Sequence, residues 1–213
     1  MEQSIGVFGE NVILWACLVR EVPTRPRADV LLQHANYLLD ELKVSQEARE
    51  LSMAAADDGL FAIAALIDEV AMGLPDLRPY WSQAMLQATR HTSNSAGVEL
   101  FERLHRVRQG PKSVLATYAA VLGVGFEGCY GLPGADRYAL AQLRRDLAVE
   151  LGVDPDRDWT GGVLARTREQ AVEAMDKGKE PWTRSVWVGR LLLLLSCLGG
   201  AAALGLLLYG RLS

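Results

Sequence analysis

Cysteine is scarce: Cys17, Cys129 and Cys197 are the only three in 213 residues, and no Cys-x-x-Cys occurs. That excludes a zinc ribbon and argues against a disulfide scaffold, so the main body reads as a reducing-compartment domain. Basic excess is also missing. With 22 Lys plus Arg against 26 Asp plus Glu, the net charge is −4, whereas a nucleic-acid binder normally carries a basic stripe. The N-terminal MEQSIGVFGEN has no basic stretch followed by an apolar one, so no signal peptide is expected. There is no internal repeat, no alternating run long enough for a strand, no P-loop Gly-Lys-Ser/Thr, no Gly-x-Ser-x-Gly and no His-Glu-x-x-His. What the chain has in quantity is apolar residues, half of the total, which rules out general disorder.

One stretch lacks charge altogether. Residues 191–209, LLLLLSCLGGAAALGLLLY, are nineteen positions without a charged side chain. As a helix they span roughly 28 Å, close to the thickness of a bilayer's hydrocarbon core. Lys177, Lys179, Arg184 and Arg190 precede the run and only Arg211 follows it. The positive-inside rule therefore predicts a cytoplasmic body and a short tail, 210–213, on the outer side. Trp182, Trp187 and Tyr209 suit the two interfacial belts. Gly199, Ala201 and Gly205 give the span a small-residue patch suited to helix–helix packing or self-association.

The predicted organisation is all-α. It comprises a helical domain over 1–162, a charged juxtamembrane stalk over 163–190, the span over 191–209 and the tail. About seven helices are expected in the domain. The first covers 4–20 with Ile5, Phe8, Val12 and Trp15 inward, and the second 28–43 on Leu31, Leu32, Ala35, Leu38, Leu39 and Leu42. Ser45 caps a following segment that includes Leu51, and Asp57 and Asp58 stand before the next apolar run at 59–72. Pro79 opens one continuous helix through YWSQAMLQATR. Asn94 or Ser95 caps another, with Val98, Phe101, Leu100 or Leu104, and Val107 inward. Pro111 starts a sixth, and Leu140, Leu143, Leu147 and Leu151 mark a seventh that ends at Gly152.

The run 59–72 is apolar almost all round a helical wheel, which predicts a central, buried helix. Asp68 and Glu69 stand out against it. A buried carboxylate needs a basic partner, a helix N-terminus or a wet groove, and an acidic spot inside a groove could dock a protein partner. As catalysts they fit poorly. Asp57 and Asp68 are separated by roughly 16 Å of helix, beyond the roughly 5–10 Å of glycosidase carboxylate pairs. Gly123 to Gly128 matches Gly-x-Gly-x-x-Gly, but a helix precedes it and a turn follows, so a tight corner is expected instead of a nucleotide site. In that corner Gly125 and Gly128 turn the chain, and Phe126 and Tyr130 pack back on the core. Glu102 and His105 form one Glu-x-x-His where a di-iron bundle needs two. Neither a cofactor nor a metal is expected.

Four blocks, FAIAALIDEVAM, LRPYWSQAMLQ, NSAGVELFERLHRV and VLATYAAVLGVGFEGCYG, resemble successive segments of the DotU/TssL family. The Ile-Asp-Glu block and the Gly-Phe-Glu-Gly-x-Tyr corner are its most specific marks. The resemblance covers nearly the whole chain. It implies an inner-membrane component of the type VI secretion system, or of the related type IVB apparatus. It further implies a hook-like cytoplasmic domain of two packed helical bundles with a cleft, and a membrane complex with TssM and TssJ. Contacts with baseplate proteins such as TssK follow from it, and the family's acidic pair maps onto Asp68 and Glu69. Some members continue past the span into a peptidoglycan-binding domain. This chain stops at Ser213, so cell-wall anchoring is expected from another protein. The expected function is a scaffold and not an enzyme. The competing reading is a membrane-tethered enzyme built on the scattered carboxylates and His105.

Overall fold

The longest apolar segment decides the architecture. Helix α4, Met53–Gly73, buries Leu60 through Asp68 without a break, because its sequence offers no polar stripe that could face water. In the computed structural model, which describes residues 6–155, the other elements gather round this axis. They are α1 (Glu10–Glu21), α2 (Ala28–Val44), α3 (Gln46–Arg49), α5 (Arg78–Trp81), α6 (Leu86–His91), α7 (Ala96–Val107), α8 (Lys112–Gly123), a 3-10 turn (Gly128–Gly131) and α9 (Arg137–Glu150). No strand occurs among the described residues, and α3 and α5 are single turns. Seven longer helices remain among the described residues.

Two groups of helices share α4. On one side α1, α7 and α8 pack on it, and α9 and the 3-10 turn pack on α8 and α7. On the other side α2, α5 and α6 pack on it, with α2 holding α3 and α5. Helix α8 buries Val114, Tyr118, Val121 and Leu122 against α4. The stretch Lys112–Gly131 is apolar and long enough to cross a membrane, yet half of it is buried within this fold. It is a core helix. The expected stalk, the span with Gly199, Ala201 and Gly205, and the tail lie outside the described residues, as does Ile5.

Several boundaries differ from the sequence expectation, each for a local reason. Helix α1 begins at Glu10 and not at 4. Gly9 takes a left-handed conformation (φ 72°) that disfavours any other residue, its N–H donates to Glu47 Oε2 at 3.2 Å, and a Cβ there would press on the side-chain ends of Ile63 and Leu42. Helix α4 begins six residues before 59. Ser52 Oγ accepts the Ala55 N–H at 3.2 Å, and a run of alanines carries the helix through Asp57 and Asp58. The segment opened by Pro79 is two short helices, α5 and α6, with a turn over 82–85. Ser95 stands at the N-cap of α7 without a side-chain bond; Gln87 Oε1 accepts the Ala96 N–H instead, at 2.8 Å. Val98 is 47% exposed, because Ala96, Leu100, Leu104 and Val107 already form the inward stripe.

Other expectations hold. Ser45 Oγ accepts the Ala48 N–H at 3.2 Å. Helix α9 ends in a Schellman motif: the Val153 N–H donates to the Ala148 carbonyl and the Gly152 N–H to the Val149 carbonyl, with Gly152 at φ 72°.

Candidate functional site

Asp68 lies in the interior, 3% exposed, with Trp81 beside it at 1%. Its Oδ1 accepts the Trp81 indole N–H at 2.8 Å and the Leu86 N–H at 2.9 Å, while Oδ2 accepts the Gln87 N–H at 2.8 Å. Met85, the N-cap residue of α6, makes no side-chain cap bond, and a carboxylate from α4 caps that helix instead. This explains the break after Pro79. The two N–H groups and the indole converge on one carboxylate, and the chain turns between α5 and α6 to bring them there. Burial pushes the Asp68 carboxyl above its ordinary value, and the three donors pull the other way.

Glu69 points about a quarter-turn away and does a parallel task. Its Oε1 accepts the Glu127 N–H and its Oε2 the Gly128 N–H, both at 2.8 Å. The corner after α8 is thereby held on α4. Arg20 donates to the Val124 carbonyl at 3.0 Å and Arg144 to the Phe126 carbonyl at 3.2 Å. Gly125 and Gly128 both have positive φ, 111° and 53°. Phe126 is buried, and Tyr130 meets Phe101 edge-on with ring centroids 4.9 Å apart. Burial raises the Glu69 carboxyl, and the nearby Glu127 charge adds to that.

The structure therefore brings Asp68, Glu69, Gly125, Phe126, Gly128 and Tyr130 into one continuous arrangement. The two carboxylates anchor successive segments, the turn over 82–85 and the corner over 124–131, to the same stretch of α4.

A second polar centre was not foreseen. Asp58 is buried, and its carboxylate receives Arg106 and, at 3.1 Å, Arg103. Arg103 also reaches Asp57 at 3.0 Å and Glu99 at 2.6 Å, and its guanidinium lies 3.8 Å from the Phe61 ring centre. His91 Nδ1 stands 3.3 Å from Asp57 Oδ1 and meets the Phe61 ring edge-on. The Tyr118 hydroxyl is buried with no hydrogen-bond partner among the described residues, and burial pushes its pKa far up. One sequence signal was available: Glu99 and Arg103 are four apart, a helical ion-pair spacing. Nothing in the sequence pairs Asp58 with a helix 45 residues on. His105 is exposed on α7, and no group of three or more His, Cys, Asp or Glu gathers among the described residues.

The combination is an all-helical domain whose central helix uses a buried and a half-buried carboxylate to fix neighbouring segments. Its sequence matches the family described as type VI secretion system protein DotU over residues 9–211. The chain belongs to that family. Among solved structures, the cytoplasmic domain of TssL from Acinetobacter baumannii is similar, with a TM-score of 0.60 and 23% identity, covering 67% of this chain and 93% of that one. SciP/TssL from enteroaggregative Escherichia coli 042 is similar with a TM-score of 0.54 and 25% identity, covering 66% and 86%. Comparison with curated proteins returns no match.

Proposed function

We propose that this protein is a structural component of the type VI membrane complex that joins TssM and TssJ to the cytoplasmic baseplate, TssK included. The type VI description of the matching family supports this over a type IVB role. The uncharged run at 191–209 supports a single-pass inner-membrane anchor with the helical domain in the cytoplasm. Gly199, Ala201 and Gly205 then serve helix packing within the bilayer.

Asp68 and Glu69 are the proposed partner-docking centre, and they act through what they hold. The observation that carries this is that the two neighbouring carboxylates receive five hydrogen bonds from two separate segments, 81–87 and 127–128. Buried and holding three donors on its two oxygens, Asp68 is engaged inside the fold and closed off from a partner or a substrate. The docking face is the pair of segments the carboxylates shape, which favours a scaffold over an enzyme.

The test is co-purification of full-length Asp68→Asn and Glu69→Gln variants with TssK from detergent-solubilised membranes. Loss of capture by a variant whose circular dichroism is unchanged supports the site. Undiminished capture by both variants removes it.

A further inference from the structure

Helix α2 is apolar on two faces. Leu31, Ala35, Leu39 and Leu42 point into the core. Val30, Tyr37 and Val44 do not: they are 49%, 56% and 58% exposed. These three recur every seven residues, so they form one seam along the outside of the helix, roughly 21 Å long. An outer helix face is normally charged or polar at such positions.

The middle of the seam is aromatic. The exposed His34 ring stacks with Tyr37, centroids 6.2 Å apart and planes 26° apart. Trp15 of α1 meets His34 edge-on at 5.4 Å, which extends the rib onto the neighbouring helix. Aromatic faces attract cations. Yet the cation–π contact among the described residues is Arg103 over Phe61, in the interior. Next to the rib, Glu41 is exposed one helical turn beyond Tyr37, and among the described residues it makes no ion pair. Its neighbour Asp40 is already paired with Arg90.

We propose that this seam seats a basic amphipathic helix of a partner protein, with an Arg or Lys of that helix over the Tyr37 ring and paired with Glu41. The seven-residue spacing selects a helix as the occupant. Charge selects its sign: electron-rich rings and a free carboxylate favour a cation. A second copy of this chain is the poorer occupant, since α2 offers the Tyr37 ring and Glu41 only Lys43 as a cation, and no Arg. The inference stands apart from the docking role proposed for Asp68 and Glu69.

The test uses the full-length chain in nanodiscs of zwitterionic lipid, with empty discs as the blank. The probe is a labelled synthetic amphipathic Leu/Arg helix of about 18 residues, long enough to cover the seam, followed by fluorescence anisotropy. Salt-sensitive binding is expected, at least tenfold weaker for the double variant Tyr37→Ala, Glu41→Lys. Tyr37→Phe keeps the ring face and should bind like the wild type. Val44→Lys, at the far end of the seam, should weaken binding independently, and melting curves confirm that each variant is folded. The same peptide with Glu in place of Arg should bind at least tenfold more weakly. Equal affinity for wild type and double variant overturns the proposal, as does equal binding of the acidic peptide. A dimer of the wild type that Tyr37→Ala converts to monomer also overturns it, by giving the seam to a second copy.

Discussion

The Asp68 carboxylate and the Trp81 indole form a 2.8 Å hydrogen bond between two side chains that are both closed off from solvent. The bond joins the central helix to a single-turn helix, and the same oxygen goes on to accept the Leu86 N–H. A buried carboxyl group is thus part of the fold's own wiring.

Removing either partner should have unequal cost. Trp81→Phe deletes one donor and leaves Asp68 with two backbone N–H groups, for a loss of about 1–2 kcal/mol. Asp68→Ala strands three buried donors and should lose about 3 kcal/mol or more. Chemical denaturation followed by far-UV circular dichroism measures both. Equal destabilisation by the two variants would contradict the geometry.

Arg103→Ala should be among the most damaging changes on α7. It leaves buried Asp58 with Arg106 alone and uncovers the Phe61 face, at a cost of about 3 kcal/mol. Arg103→Lys keeps the charge but not the planar fork that serves Asp57, Asp58 and Glu99 together, so it should fall between wild type and Ala. The same denaturation series ranks the three.

Gly128→Ala should unsettle the corner. The residue has φ 53°, and an added Cβ would come within 2.5 Å of the Gly97 carbonyl oxygen. Gly97→Ala meets the Gly128 Cα at 3.2 Å without a positive φ, so it should be the milder change. Hydrogen exchange at the Glu127 and Gly128 amides, which Glu69 holds, reports the loosening directly.

Acid titration should show two opposed contributions. Burial lowers the His91 pKa, and Asp57 beside it only partly offsets this. The unfolded chain then takes up the proton more readily, so stability from His91 is lost as pH falls below about 6.5. The raised carboxyls of Asp68 and Glu69 act the other way. Their contribution is full below the ordinary carboxylate range and declines as pH rises through their shifted values. His91→Gln should flatten the stability profile between about pH 7 and 5, while Glu69→Gln should flatten its acid limb. Melting temperature against pH checks both; an unchanged profile in His91→Gln would refute the first.

Much of the helical layout was legible. Helix α2 follows from its Leu spacing, α9 from Leu140 and Leu147 with a closing Gly152, and the central position of α4 from a wheel with no polar side. The exceptional standing of Asp68 and Glu69 was legible too, because carboxylates in such a helix must find donors. Which donors was not. Trp81 and the Leu86 amide lie 13 and 18 residues away along the chain, and the Glu127 amide 58. Periodicity carries no information at that range.

The sequence by itself determined the helical class, the buried axis and the family, because apolar spacing along one helix and short motifs are local properties. Tertiary structure alone decided where helices break and which charges are joined. Backbone N–H groups at α6 and at the 124–131 corner have no acceptor nearby in sequence, so they turn toward carboxylates that packing brings within reach. Burial then makes those bonds costly to lose, most of all at Asp68.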